Sequence, residues 1–206
     1  MINYFNMIRL IGGCKKRSIL TFPSTFLYSV RPTLINVRET LFNWIKKDIK
    51  NKTILDLYAG SGSLGFETLS RGAKHVFFLE NNKSVVKFLY LNKKKLNFCK
   101  SVKIIKTNAI NYINKVAFKS FDIVFIDPPF CKGLAYPSIN LLEKNGWLND
   151  KSFIYLEVES KLDLFLLPKT WILYKELSYG KYHILLYRRF LKLTATHQRK
   201  KQYISN

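Results

Sequence analysis

Residues 56–67 read Asp56-Leu-Tyr-Ala-Gly-Ser-Gly-Ser-Leu-Gly-Phe-Glu67 and lie between the apolar run Thr53-Ile-Leu and a helical pattern. Gly60, Gly62 and Gly65 have the spacing G-x-G-x-x-G, which serves a tight turn from strand to helix and lets the backbone approach a ligand. The next apolar run ends at Glu80, where a carboxylate can bind ribose hydroxyls. The segment therefore predicts a cofactor loop in an α/β fold.

Asp56 discriminates between cofactors of this type. Its carboxylate precedes Gly60 by four residues and should point to the place where a dinucleotide holds its pyrophosphate, and two anions there would repel each other. S-adenosylmethionine has a ribose and an adenine, no phosphate and a cationic amino-acid tail, so it suits the loop better. The alternative is a plain glycine-rich turn in which Asp56 caps a helix.

Composition bounds the class of protein. The chain has 206 residues, 48% of them hydrophobic, which allows one domain with a sizeable core. A net charge of +22 favours a nucleic-acid partner, although an AT-rich genome would also enrich lysine. The three cysteines share no metal-ligand spacing, so we expect no metal site and a cytoplasmic location. No apolar run reaches the roughly 18 residues of a membrane-spanning helix.

The N-terminal residues 1–32 are basic and contain no acidic residue. Residues 8–11 and 17–22 are expected to form a hairpin around Gly12 and Gly13 that presents cations to phosphates. The alternative is a solvated arm that covers a sheet edge. From Thr33 the apolar residues have helical spacing, which predicts an amphipathic helix carrying Arg38. With Arg31, Arg38 could face the substrate or form surface ion pairs, and the sequence favours neither.

Strand and helix patterns then alternate along the chain. Asn108-Ala109 follows a strand at 102–106, where the amide could meet an adenine edge or cap the next helix. A helix is expected at about 133–144. The runs at 171–174 and 182–187 should pair as a hairpin, and a basic tail follows.

The segment Asp127-Pro-Pro-Phe130 ends the apolar run 121–126, at the edge where open parallel sheets hold their ligands. A base amino group is a poor nucleophile because its lone pair is delocalised into the ring. Asp127 and the Pro128 carbonyl can accept its N–H groups and stabilise the positive charge that develops on nitrogen. Phe130 can stack on an extruded base. The alternative is a plain turn followed by a packed aromatic residue.

Together these motifs resemble the bacterial 16S rRNA guanine-N2 methyltransferases, a family of class I S-adenosylmethionine enzymes, over roughly residues 7–190. The resemblance rests on Ile8-Arg-Leu-Ile-Gly-Gly13, Arg31-Pro-Thr33, Val37-Arg-Glu-Thr-Leu-Phe-Asn-Trp44, the glycine loop, Asp127-Pro-Pro-Phe130 and Asn145-Gly-Trp-Leu148. It implies a Rossmann-like, mostly parallel seven-stranded sheet with an antiparallel last strand. It also implies methylation of guanine 966, with assembled particles preferred to naked RNA. Cys14 and Lys16 depart from the family's usual residues after the double glycine.

The resemblance and the motifs assign site residues. Those expected to hold S-adenosylmethionine are Asp56, Tyr58, Ala59, Gly60, Gly62, Leu64, Glu80, Asn81, Asn108 and Ala109. Those expected at the target guanine are Asp127, Pro128, Pro129 and Phe130. Those expected to contact RNA are Arg9, Gly12, Gly13, Arg17, Arg31, Arg38 and Lys132.

We expect a basic arm at 1–32, a methyltransferase domain at 33–190 and a tail at 191–206, in a monomer that acts on the small subunit or its assembly intermediate. Two other functions stay open. An adenine-N6 DNA methyltransferase would use the same acceptors, although few residues remain for a separate recognition region. A non-catalytic RNA-binding assembly factor would have lost the chemistry, which the intact Asp56, Gly60, Glu80 and Asp127 argue against.

Overall fold

The computed structural model describes residues 5–23, 35–129, 132–159 and 166–191, which form a hairpin followed by a seven-stranded sheet with helices on both faces. The hairpin strands are β1 (Phe5–Arg9) and β2 (Ile19–Pro23). The sheet strands are β3 (Thr53–Asp56), β4 (His75–Glu80), β5 (Val102–Lys106), β6 (Phe121–Ile126), β7 (Leu148–Val158), β8 (Trp171–Tyr179) and β9 (Tyr182–Arg189). The α-helices are α1 (Ile35–Trp44), α2 (Ser63–Ser70), α3 (Lys83–Lys95), α4 (Ala109–Ile113) and α5 (Ala135–Lys144).

The large sheet has the strand order β5-β4-β3-β6-β7-β9-β8. Strands β3 to β7 pair in parallel, whereas β9 is antiparallel to both β7 and β8 and so is the strand that runs against the others. The predicted α/β class and the antiparallel last strand are confirmed. The chain leaves β3 toward β4 and β5, then returns to β6 on the other side, so the carboxyl ends of β3 and β6 border the crevice where such sheets bind ligands.

Alternation of side chains along the strands divides the core into two layers. On one face, Ile54, Phe78 and Phe125 pack in a cluster that also contains apolar residues of the hairpin and of α1, α2 and α3. On the other face, Leu55 and Val124 pack with residues of α4 and α5. Strands buried on both faces read as continuous apolar runs, which is why β6 is uniformly apolar except for Asp122.

The N-terminal hairpin is packed onto the domain. Ile8, Leu10, Leu20 and Phe22 belong to the same buried cluster as the sheet, and β2 lies against α3. There Asn92 is buried, and it accepts from the Thr21 amide at 3.1 Å and donates to the Thr21 carbonyl at 2.8 Å. The predicted hairpin is confirmed, with β1 starting and ending earlier than expected. The predicted domain boundaries stay a prediction.

The start of one helix differs from the sequence expectation. Helix α5 begins at Ala135 and not at about residue 133, because Gly133 has a φ of +62°, which no right-handed helix contains. The expected start of α1 at Thr33 lies outside the described residues, as does the tail from residue 192. In the part of the chain that the structure describes, no helix has the length and apolar character needed to cross a bilayer.

Candidate active site

The glycine loop makes a tight turn between β3 and α2. Gly60 and Gly62 have φ values of +50° and +77°, a region that favours glycine, and the Gly62 amide donates to the Ala59 carbonyl at 2.7 Å. Gly65 lies where α2 crosses β4, and a Cβ there would stand 2.2 Å from the Phe78 ring. The three glycines therefore serve the turn, the loop's shape and helix packing, as the spacing predicts.

Asp56, the last residue of β3, forms a hydrogen bond across this loop. Its Oδ2 accepts from the Gly65 amide at 3.1 Å, and the residue is 2% exposed. Burial raises the pKa of Asp56 to about 8, with the charge of Glu80 adding to the rise and the Gly65 hydrogen bond opposing it. Burial makes ionisation of Asp56 unfavourable, and a bound cation would stabilise the ionised form.

Glu80 ends β4 beside the same loop. Its Oε2 accepts from the Gly60 amide at 2.9 Å and its Oε1 from the Asn82 amide at 2.7 Å. Burial raises the pKa of Glu80, while those amides lower it. Two backbone donors fix the carboxylate at the mouth of the loop, next to the exposed Asn81.

The other residues predicted to hold the cofactor lie around this loop. Leu64 and Ala59 are buried, and Tyr58 bonds the Ser138 hydroxyl at 2.8 Å. Ser138 uses its own proton on the Leu134 carbonyl at 2.7 Å, so Tyr58 is the donor to Ser138. Asn108 caps α4 by accepting from the Asn111 amide at 3.0 Å, a role that leaves its NH₂ group available, and Ala109 is buried behind it.

The segment after β6 occupies the neighbouring strand end. Pro128 is buried and Asp127 and Pro129 are half-buried, whereas Phe130 lies outside the described residues. In β7, burial raises the pKa of Tyr155 well above its usual range, and the charges of Glu157 and Asp127 add to the rise. Ile126 pairs with Leu156, so Asp127 follows β6 at the strand end next to β7.

Four carboxylates line one edge of the sheet. One face of the sheet carries Ile54, Phe78, Phe125 and Tyr155. The same face carries the residues two positions further along each strand, because side chains alternate. These residues are Asp56, Glu80, Asp127 and Glu157. No group of three or more His, Cys, Asp or Glu side chains is arranged for a metal ion within the ranges that the structure describes. The row is a series of carboxyl groups that can accept hydrogen bonds.

Glu157 and Tyr155 were missed by the sequence interpretation. Tyr155 is fully buried and donates to Glu157 Oε2 at 2.7 Å. The signal was present, because Glu157 stands near the carboxyl end of an apolar run just as Glu80 does, but no recognised motif surrounds it.

Among the residues predicted to contact RNA, Arg9, Arg17 and Lys132 are exposed, and Arg31 lies outside the described residues. Arg38 differs from the expectation. It is 3% exposed, its Nη2 donates to the Arg9 carbonyl at 3.3 Å, and burial lowers its pKa against the opposing charges of Glu67 and Glu39. The Arg38 guanidinium thus supports the hairpin from inside and does not face the solvent.

Gly12 and Gly13 dock the hairpin on the end of α2. Gly13 has a φ of +75°, and a Cβ there would stand 1.8 Å from the Ser70 carbonyl oxygen. The Ser70 hydroxyl donates to the Gly12 carbonyl, and the Ile11 amide donates to the buried Glu67 at 2.8 Å. The double glycine therefore has a packing role that is sufficient to explain it without an RNA contact.

This packing predicts the cost of a substitution at Gly13. Gly13→Ala should destabilise the protein more than Gly180→Ala by about 1–3 kcal/mol. Both positions have positive φ, but nothing lies within 4 Å of a Cβ at Gly180, so this variant controls for backbone strain alone. Urea unfolding of the two variants measures the difference. Equal midpoints would show that the hairpin can move away from α2 at little cost.

Comparison with known proteins identifies the family. A family model described as conserved hypothetical protein 95 matches residues 8–188. The ribosomal RNA small subunit methyltransferase D of Buchnera aphidicola is 42% identical over 180 residues, which cover 87% of this chain and 92% of that protein. The chain belongs to the ribosomal RNA small subunit methyltransferase D family. The family resemblance predicted from the sequence is confirmed, and with it the assignment as a methyltransferase.

Solved structures share the fold of this chain. A structure described as a putative methyltransferase from Escherichia coli has a TM-score of 0.82 and 37% identity, over 91% of this chain and 100% of that one. A Thermus thermophilus 16S rRNA N2 G1207 methyltransferase, solved with AdoMet and guanosine, has a TM-score of 0.68 at 21% identity, over 90% of this chain and 50% of that one. The second likeness shows a shared class I fold.

Proposed function

We propose that this chain transfers a methyl group from S-adenosylmethionine to the exocyclic N2 amino group of a guanine in 16S rRNA, at the position that the family resemblance gives as 966. The observation that carries the proposal is the row of carboxylates across β4, β3 and β6. It places Glu80 and Asp56 at the glycine loop and Asp127 with Pro128 at the next strand end. The names of the methyltransferase D relatives support rRNA of the small subunit as the substrate.

The loop fits S-adenosylmethionine better than a dinucleotide. The pKa of Asp56 is raised because burial makes its ionised form unfavourable, and an adjacent pyrophosphate would raise the cost of ionisation further. Glu80 is fixed by two amides at the position from which it would hold ribose hydroxyls. When bound, S-adenosylmethionine supplies an electrophilic methyl group on a cationic sulfur. The residues that would hold it are those of the loop, Asp56 and Glu80.

The chain's own part in the chemistry is to orient the amino group. Asp127 accepts one N–H of the target amino group, and the Pro128 carbonyl accepts the other. Both acceptors are fixed before the base arrives, since Pro128 is buried and the two prolines restrict the turn. They stabilise the positive charge that develops on nitrogen, and they hold the lone pair toward the site of methyl delivery.

The test is transfer of labelled methyl from S-adenosylmethionine to unmodified small subunits, to their naked RNA and to DNA, followed by identification of the modified nucleoside. N2-methylguanosine in subunits is the expected product. N6-methyladenine in DNA would replace the proposal with the adenine-specific alternative. RNA binding without label in any substrate would leave a non-catalytic assembly factor.

The RNA-binding surface is proposed to combine the hairpin with α3. Arg9 and Arg17 are exposed on the hairpin, β2 packs on α3, and α3 carries exposed lysines. These lysines are Lys83, Lys87, Lys94 and Lys95. A contiguous basic surface attracts phosphates irrespective of base sequence.

We further propose that the protein acts as a monomer in the cytoplasm, where its substrate is assembled.

This surface predicts a steep salt dependence. The affinity for small-subunit RNA should fall by about 10³-fold or more between 50 and 200 mM salt, if about six phosphates are contacted. Arg9→Gln and Arg17→Gln should each reduce the slope of log K against log salt by about 1. Lys175→Gln is the charge-matched control, since Lys175 is exposed on β8 at the far edge of the sheet. A salt-independent affinity, or an equal effect of the control, would assign the charge to composition alone.

A further inference from the structure

Glu157, the fourth carboxyl group of the row at the sheet edge, lies beside the proposed base site. In the parallel pairing of β6 with β7, Ile126 is opposite Leu156, so the next residues along the two strands, Asp127 and Glu157, are neighbours at the edge of the sheet. Adjacent strands are about 4.8 Å apart, so the backbone positions that carry these two carboxyl groups are separated by about that distance.

Glu157 is held in place by its neighbours. The residue is 9% exposed, and its Oε2 accepts from the Tyr155 hydroxyl at 2.7 Å. Tyr155 in turn packs edge-on to Phe125, with ring centroids 5.9 Å apart, and is fully buried. The Tyr155 phenol stays protonated because its pKa is raised, so it remains a donor to Glu157. Burial raises the pKa of Glu157, and the hydrogen bond from Tyr155 lowers it. In its ionised form the carboxylate has about four acceptor positions, so the Tyr155 bond leaves it able to accept further donors.

The position of Glu157 matters because bases differ in the atom next to the amino group. Guanine presents an N1–H donor beside its N2 amino group, and adenine and cytosine present a bare ring nitrogen, an acceptor, beside theirs. Asp127 and the Pro128 carbonyl account for the two N–H bonds of the amino group. An additional acceptor at the next strand would match the guanine N1–H and would face a lone pair on either other base.

We propose that Glu157 accepts a hydrogen bond from N1–H of the target guanine and is the residue that selects guanine at this site. The inference rests on the proposed function and names the basis of its specificity. Rejection of the wrong base follows because Glu157 would face the lone pair of a bare ring nitrogen instead of a donor, which is a stronger penalty than the loss of one contact. Tyr155 is a positioning residue that acts through Glu157.

The experiment compares small subunits whose 16S RNA carries either guanine or 2-aminopurine at the methylated position. 2-Aminopurine keeps the 2-amino group but has a bare N1 in place of N1–H. Native protein should methylate the guanine substrate about 10- to 100-fold faster. In Glu157→Gln the side-chain amide can donate to a bare N1, so the ratio of the two rates should fall toward 1. Tyr155→Phe should lower the ratio to an intermediate value, because it keeps the carboxylate and the packing on Phe125 but removes the donor.

Glu176→Gln is the matched control, because Glu176 is exposed on β8 and its loss should leave the ratio unchanged. The affinity of each variant for S-adenosylmethionine is measured in parallel, and it should stay within about twofold of the native value. A Glu157→Gln ratio equal to the native one, or an equal loss on both substrates, would overturn the assignment of Glu157 while leaving the proposed function intact. Absence of methylation of the guanine substrate by native protein would overturn both.

Discussion

Asp127→Ala is expected to lower the rate of methyl transfer on the order of 10²- to 10³-fold, the range found when one preorganised charge-stabilising group is removed from an active site. The substitution removes an acceptor from the amino group, so the positive charge on nitrogen develops without stabilisation, and the base is held less firmly in line. The cofactor affinity should change little, because the glycine loop, Asp56 and Glu80 lie on β3 and β4. The labelled-methyl assay on small subunits and a separate cofactor titration measure the two effects.

Asp127→Asn provides the matched comparison for Asp127→Ala. Its side-chain oxygen keeps one acceptor without the charge, so its rate should lie between those of the native and Ala proteins. Both substitutions also remove the negative charge near Tyr155, which allows any effect of that charge to be separated from the loss of the acceptor. Normal turnover by Asp127→Ala would show that the amino group is bound by other residues.

Most of the fold could be predicted from local patterns because the sheet is buried on both sides. Such strands read as short apolar runs, and β3, β4, β5 and β6 were all placed this way. The number of strands and the antiparallel last strand came from the family resemblance, and the strand order was not predicted, since periodicity carries no information about which strands pair. The start of α5 was misplaced because the conformation of Gly133 depends on the preceding loop and not on helical spacing.

The site was predictable where function leaves a motif and was not predictable where tertiary packing decides a residue's role. Asp56, Glu80 and Asp127 stand at strand ends, and that position alone brings them to one edge. Arg38 was assigned to RNA, but it is buried between its own helix, the hairpin and α2. The position of Arg38 in its helix does not reveal that the hairpin and α2 pack there. Gly13 was expected at the RNA because it belongs to the predicted basic hairpin and to the family resemblance, and the structure adds a packing role, contact with Ser70, which is distant in sequence.

Asp56→Asn is expected to stabilise the protein in the absence of cofactor. In the unfolded chain an aspartate ionises near pH 4, but burial raises the pKa of Asp56 to about 8 in the folded state. Between these values the folded state binds the extra proton, so the free energy of unfolding decreases as pH rises, by up to about 1.4 kcal/mol per pH unit. The substituted asparagine side chain cannot ionise and can still accept from the Gly65 amide. The advantage of the variant should therefore increase with pH and level off above about pH 8, as measured by urea unfolding.

The same substitution should weaken cofactor binding. A cationic ligand stabilises the ionised form of Asp56, and hydrogen bonds to charged groups contribute about 1.5–3 kcal/mol, so the dissociation constant should increase by about 10- to 100-fold. Below pH 8 the native protein must first lose a proton from Asp56, so its advantage over Asp56→Asn should shrink as pH falls. Taking the ratio of the two dissociation constants at each pH cancels the titration of the ligand itself. A ratio independent of pH would show that S-adenosylmethionine binds without ionising Asp56, and a variant less stable than the native protein at every pH would show that this carboxyl supports the fold. Together, the unfolding and binding measurements separate the destabilisation of the fold by the buried Asp56 from the contribution of Asp56 to cofactor binding.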